Sequence, residues 1–440
     1  MGPLFQSLVE DSVAEIERRE PEYFQRFPLT FPRGQLRLDR YRQHPSMRRY
    51  ADSALDRATD AAAERLEQRG VPVAYSDEID DPASLVLFDA ALDAFAAKEQ
   101  LLPIRNAPRA DAAIDEILGT GYDEHRTASG RRYLVSRRGT QPLLVISALG
   151  IPIAIWKKLL SDTSHDFRIV TVENRCGDLI SGGMDSDVDL TRHADDIAEV
   201  LDQEQPGPLH VLGWCNGGRI AIDLVTRGRY NIRSLTLLSP TLRGTENASK
   251  PGSPFEDRLQ QIFATITRNQ ALAMPLVKML ARFTQPPDWD GLAGNASARA
   301  AALFALPSRE SAATFLVPMS TPPLLINYAR RTAADEAYPM ADTLRRLGTA
   351  GIPVLLISGS HDSMVSNQAT CTALANGGVA VTHAQVAGAG HYIQDLQYPY
   401  FLWLLRSFAD NHNLPNAALR VDIQHSNQSD SVQLSHATTT

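Results

Sequence analysis

The sequence predicts an α/β fold: a mostly parallel central sheet, a helical cap inserted into it, and a helical extension ahead of it. Three observations lead there. Between about residues 120 and 243, short apolar runs alternate with helical patterns, the signature of parallel strands joined by crossover helices. The alternation breaks off over residues 244–342 and resumes at Pro353-Val354-Leu355-Leu356-Ile357-Ser358. Finally, the apolar run Leu209-His210-Val211-Leu212 passes directly into Gly213-Trp214-Cys215-Asn216-Gly217-Gly218, whose small residues suit a sharp strand-to-helix turn.

Residues 1–115 are rich in Ala, Glu, Asp and Arg at helical spacing. Ala51–Arg69 predicts a helix ended by Gly70 and Pro72, and Ser84–Leu102 predicts another with Ser84 as N-cap. No strand-rich pattern stands out, so this part is expected to be a helical N-terminal extension with a structural or partner-docking role. The first part of the core, 116–243, carries predicted strands at Arg132–Ser136, Pro142–Ser147 and Phe167–Glu173, then a helix at Asp189–Leu201. The turn at Cys215 leads into a helical pattern, Arg219–Val225, and a strand, Ser234–Ser239, closed by Pro240. Residues 244–342 hold Pro251, Pro254, Pro275, Pro286, Pro287 and Pro307 around helical stretches at Phe255–Ile266 and Leu276–Phe283, and are expected to form a helical cap or lid. Residues 343–410 complete the core, with strands at Pro353–Ser358 and Val379–Val386. The polar residues 411–440 predict a disordered tail.

Composition narrows the function classes. A hydrophobic fraction of 43% with 21% charged residues is that of a water-soluble globular chain. A net charge of -8 offers no basic surface for nucleic acid. Three cysteines without paired spacing point to neither a disulfide framework nor a zinc site, and no phosphate loop or two-histidine helix motif is present, so no cofactor or metal is expected. The segment Met1–Gln6 lacks the basic and apolar regions of a secretory leader, and the longest apolar run, Ile146–Trp156, is too short to cross a bilayer. No membrane role is expected, and a reducing cytoplasm suits a thiol nucleophile.

The chemistry gathers around Cys215. A nucleophile on a strained strand-to-helix turn is exposed at the top of a sheet, and small neighbours let the helix pack close to the strand. A thiol nucleophile needs a base, and the base needs an orienting group. After the strand Pro353–Ser358 comes Gly359-Ser360-His361-Asp362, which puts Asp362 at the carboxyl edge of the sheet as the orienting carboxylate. A turn-capping role is the alternative for Asp362. The glycine-rich loop Gly388-Ala389-Gly390-His391 offers His391 as general base; His361 and His383 compete, but His361 adjoins the candidate acid and His383 falls within a strand. The N–H of Asn216, following the nucleophile, and that of Ile151, in the loop Ala148-Leu149-Gly150-Ile151-Pro152, are the candidate oxyanion-hole donors, with Leu149 the lesser choice and Pro152 lacking an N–H. Cys176 and Cys371 are read as structural, and Trp214 either lines the pocket or packs beneath the turn.

Together these segments resemble the α/β-hydrolase superfamily over about residues 120–410. Leu149-Gly150-Ile151-Pro152 stands where many members carry HGxP, with Leu149 in place of the histidine. Arg175-Cys176-Gly177-Asp178 stands where they often carry a variant of RGxG, and the 388–391 loop with Tyr398-Pro399-Tyr400-Phe401 is similar to their final histidine loop and following helix. The resemblance implies an α/β-hydrolase fold and a triad of Cys215, Asp362 and His391. A similar G-x-C-x-G-G occurs in the compact dienelactone hydrolases and in polyhydroxyalkanoate synthases, whose helical N-terminal region and cap give a similar layout. Some thioesterase-like domains of polyketide and nonribosomal peptide pathways are similar in using cysteine at this place.

Sulfur at the turn favours acyl transfer from a thioester, on a carrier protein or coenzyme A, through an acyl-cysteine. The thiolate attacks well, and the covalent intermediate is itself a thioester that retains the driving force to reach water, a hydroxyl or an amine. The expected enzyme is a thioesterase, cyclase or acyltransferase of polyketide, nonribosomal peptide or polyester metabolism. A dienelactone-type ester or lactone hydrolase and a catalytically silent scaffold are the alternatives.

Overall fold

The computed structural model describes residues 2–19, 24, 28–33, 52–76, 110–173, 190–242, 252–280, 291, 292, 295, 298, 299, 309–386, 389–412, 414 and 421–425. The predicted helix Ser84–Leu102, the segment Arg175–Asp178 with Cys176, and residues 426–440 lie outside these.

In the N-terminal part, α1 (Gly2–Arg19) packs on α2 (Asp52–Gln68) through Leu8, Val13, Ala62 and Leu66, all buried. The helix α2 ends where Gly70 takes φ +82, as its sequence predicts. The extension is not wholly helical, however. β1 (Leu29–Pro32) and β2 (Val73–Ser76) form a two-stranded parallel sheet. Four-residue strands are too short for their alternation to stand out against helical spacing.

The main sheet follows α3 (Ala110–Gly119). Its first strands are β3 (Tyr122–Arg126), β4 (Arg132–Ser136) and β5 (Gln141–Ile146). A single turn of 3-10 helix at Ile153–Trp156 leads into α4 (Lys157–Ser161), then β6 (Phe167–Val172), α5 (Leu190–Glu204) and β7 (Leu209–Trp214). Next come α6 (Gly217–Thr226) and β8 (Ile232–Leu238).

The cap contributes α7 (Pro254–Arg268), α8 (Ala273–Leu280), α9 (Arg309–Phe315) and α10 (Pro322–Glu336). A reciprocal capping box starts α7: the Glu256 N–H donates to Ser253 Oγ at 3.0 Å, and Glu256 Oε2 accepts from the Ser253 N–H at 2.8 Å. The core resumes at α11 (Met340–Thr349), three residues before the predicted boundary, because Met340, Leu344 and Leu347 bury against Ile220 and Leu224 of α6. It continues with β9 (Val354–Gly359), α12 (Asn367–Asn376), β10 (Val381–Val386), α13 (Ile393–Leu396) and α14 (Tyr398–Asn411).

A last strand, β11 (Val421–His425), pairs antiparallel with β10, where the polar composition predicts disorder. The edge of β10 offers unpaired backbone donors and acceptors, and backbone pairing is indifferent to the polarity of the tail around the strand.

The nine strands run in the order β11-β10-β9-β8-β7-β5-β6-β4-β3, parallel from β10 through β6 and antiparallel at both ends. Strands β7 and β9 are buried along their whole length, the pattern of a sheet covered on both faces. The chain leaves β5 for β6 on one side and returns to β7 on the other. The order therefore reverses between β5 and β7, and a crevice opens at their carboxyl ends, where open α/β sheets bind ligands.

Candidate active site

Cys215 stands at that crevice, in the turn between β7 and α6. Its φ of +54 is left-handed, a conformation that costs a non-glycine residue about 1–3 kcal/mol. The turn is braced: the Cys215 N–H donates to Leu238 O at 3.0 Å, and the Cys215 carbonyl accepts from Gly218 and Thr241 at 3.1 and 3.3 Å. Two glycines make the close approach possible. A Cβ on Gly213 would lie 2.8 Å from the Gly217 carbonyl, and one on Gly217 would lie 2.5 Å from the Ser147 carbonyl at the end of β5. Cys215 itself is half-buried with a free thiol.

Asp362 follows β9 by a short turn. Its Oδ1 accepts from the N–H groups of Met364 and Val365 at 2.9 and 3.0 Å, while Oδ2 lies 2.9 Å from His391 Nδ1. The turn-capping and orienting roles weighed for this residue thus fall to different oxygens of one carboxylate. The His391 ring is buried against Trp214 and Tyr392, at centroid distances of 5.4 and 5.5 Å, so Trp214 packs beneath the turn. With Nδ1 on Asp362, the other ring nitrogen makes the hydrogen bond to Cys215. Burial by itself disfavours a charged imidazole, but the Asp362 carboxylate and the Cys215 sulfur reverse this and raise its pKa to about 10.

The competing histidines lie elsewhere. His361 Nδ1 is 2.8 Å from Ser360 Oγ. His383 bonds Ser358 Oγ at 2.8 Å and sits 3.9 Å from Cys371 Sγ; burial lowers its pKa to about 4 and pushes the Cys371 thiol up to about 11. Cys371 is a half-buried, unactivated thiol.

The two predicted oxyanion donors part company. The Asn216 N–H meets no acceptor among the described residues. The Ile151 N–H instead closes a turn onto Ala148 O at 3.0 Å, because Gly150, at φ +76, bends the chain back on itself. The Leu149 N–H is also engaged, donating to the side-chain Oδ1 of Asn216 at 2.7 Å. Sequence reasoning missed this second use of Asn216; an amide next to the nucleophile was the one available signal. The cap packs against residues at the edge of the site. Tyr328 and Pro318 press on Gly150, where a Cβ would come within 3.0 Å of either, and the Phe315 ring meets Tyr392 edge-on at 6.3 Å.

A family model described as the alpha/beta hydrolase fold matches residues 141–398. The chain belongs to the α/β-hydrolase fold family. The match begins at the first residue of β5 and ends at the first residue of α14. This α/β-hydrolase is 26% identical over 223 residues to a candidate carbamate hydrolase, RutD, of Agrobacterium fabrum, an alignment covering 51% of this chain and 76% of that protein. It is 24% identical over 231 residues to the protein of the same name from Rhizobium rhizogenes, covering 52% and 78%. Among solved structures, the esterase EaEST from Exiguobacterium antarcticum aligns with a TM-score of 0.46 at 16% identity, over 66% of this chain and 99% of that one.

Proposed function

We propose that this α/β-hydrolase transfers acyl groups from thioesters through an acyl-cysteine on Cys215, with His391 as acid and base and Asp362 as the orienting carboxylate. The observation that carries the reading is sulfur at the apex of the turn, facing an imidazole whose Nδ1 is 2.9 Å from a carboxylate. The Cys215 proton passes to His391 as the sulfur attacks. The sulfur attacks the substrate carbonyl carbon, a C–S bond forms, and the carbonyl oxygen takes the negative charge beside the Asn216 N–H. When the tetrahedral species collapses, the substrate's own C–S bond breaks, and the departing thiolate takes the proton from His391. Neutral His391 then removes a proton from water, a hydroxyl or an amine. That acceptor attacks the acyl-cysteine, and Cys215 leaves as the thiolate. The donor and the acyl-cysteine are both thioesters, so acylation exchanges like for like. A donor on a carrier protein or coenzyme A, and a reducing cytoplasm that keeps the thiol intact, fit this chemistry.

The test is intact-protein mass spectrometry after mixing wild type and Cys215→Ala with a panel of acyl-thioesters. The expected result is a mass gain equal to the acyl group on wild type alone. Wild-type protein that never gains an acyl group from any thioester would overturn the reading.

A second reading, hydrolysis of esters or carbamates, is favoured by the 26% identity to the candidate carbamate hydrolase. It requires turnover of such substrates in the absence of any thioester. Retained function in Cys215→Ala would instead support a silent scaffold.

A further inference from the structure

Asn216 stands at the N-terminus of α6 with helical torsions, φ -71 and ψ -13, and its side chain makes no capping bond to that helix. The carboxamide reaches in the other direction. Its Oδ1 accepts from the Leu149 N–H at 2.7 Å, a bond between two buried residues that joins the turn after β7 to the loop after β5. Because the partner is a donor, the orientation of the amide is decided: oxygen toward Leu149, nitrogen away.

The loop is held at other points as well. The Ile153 N–H donates to Glu173 Oε1 at 3.3 Å, and the cap rests on Gly150. Those contacts fix the loop to β6 and to the cap. The Asn216 bond fixes it to the residue that follows the nucleophile, whose own N–H meets no acceptor among the described residues. Leu149 and Ile151 have their N–H groups engaged, so the direction of the Asn216 N–H matters most for a developing oxyanion. That direction is set at both ends of the residue, by the strained Cys215 on one side and by the side-chain bond on the other.

We propose that the Asn216 carboxamide is a positioning residue: its bond to Leu149 locks the Asn216 N–H toward the place where the substrate's carbonyl oxygen gains charge, before substrate arrives. Preorganised donors stabilise a transition state without reorganisation at the moment of reaction. The inference rests on the acyl-transfer reading of Cys215.

The experiment compares wild type, Asn216→Ala and Asn216→Asp in two reactions of the same sulfur. Alkylation by iodoacetamide needs the thiolate but develops no oxyanion. Acylation by hexanoyl-N-acetylcysteamine thioester needs both. Adducts on Cys215 are followed by intact mass. Asn216→Ala is expected to alkylate within about twofold of wild type and to acylate roughly a hundredfold more slowly, the scale of a small misplacement in a reacting site. Asn216→Asp keeps an acceptor oxygen and is expected to recover part of the acylation rate. Acylation of Asn216→Ala at the wild-type rate would overturn the proposal. So would a parallel loss of both reactions, which marks a turn that has lost its shape. Wild-type protein that alkylates but never acylates would bring down the acyl-transfer reading and the inference with it.

Discussion

Asp362 and His391 are joined by a single 2.9 Å bond, from His391 Nδ1 to Asp362 Oδ2, while the other carboxylate oxygen is tied down by two backbone N–H groups. The carboxylate therefore cannot swing away without giving up its own turn. This is the arrangement that holds an imidazole in one tautomer and one orientation.

Asp362→Asn tests that relationship. The amide can still accept from the Met364 and Val365 N–H groups, so the turn should survive. The negative charge that favours protonated His391 is lost. Acylation by the thioester is expected to fall about 10²- to 10⁴-fold, with a small change in thermal stability. Stopped-flow acylation and a melting curve on the same preparation check both parts.

The raised pKa of His391 also predicts a pH dependence of stability. Its folded value, about 10, lies above its unfolded value near 6.5, so the folded state binds the proton more tightly. The contribution is fully present below about pH 6.5, declines as pH rises and is gone above about pH 10. Urea unfolding midpoints of wild type measured from pH 6 to 10 should fall more steeply than those of Asp362→Asn. Equal slopes would show that the carboxylate does not hold the proton.

Gly217→Ala should be poorly tolerated. The new Cβ would fall 2.5 Å from the Ser147 carbonyl and 2.8 Å from the Ile146 carbonyl, both backbone atoms at the end of β5. Overpacking of this kind costs about 1–3 kcal/mol, and relief requires α6 to move off the sheet, taking Asn216 with it. Loss of acylation together with a lowered urea midpoint is expected. An unchanged midpoint would contradict the packing.

The cap is fastened to the core by a buried ion. Arg219 of α6 is 1% exposed, and its guanidinium donates to the Asp335 carbonyl in α10 at 2.5 Å, with the Asp335 carboxylate 3.6 Å away. Arg219→Ala breaks this buried pair between α6 and α10, and a destabilisation of about 3–5 kcal/mol is expected from denaturant unfolding. A loss below 1 kcal/mol would mean that the cap is held chiefly by its apolar contacts.

Much of this molecule was legible in the chain. The strand Arg132–Ser136 has the bounds its apolar run predicts, and β5, β6 and β9 fall within one residue of theirs. The glycines at 213 and 217 marked the turn because a tight strand-to-helix crossing has no room for a Cβ. The order of Cys215, Asp362 and His391 was readable because each follows a recognisable strand or glycine loop. These are local signals, in which periodicity, glycine spacing and chain order are properties of neighbouring residues.

The remaining features depend on residues far apart in the chain. The pairing of β1 with β2, the addition of β11 to the edge of β10, and the burial of α11 against α6 leave little local trace. The fate of Ile151 was settled by the turn at Gly150, which aims its N–H at the Ala148 carbonyl rather than at a substrate oxyanion. The bond from Leu149 to Asn216 exists because the sheet order sets β5 beside β7, although β6 and α5 lie between them in the chain. Local patterns along the chain set most of the core elements and the residues that stand at their ends. The sheet order determined which of those ends meet, because hydrogen bonds are made at about 3 Å whatever the distance along the chain.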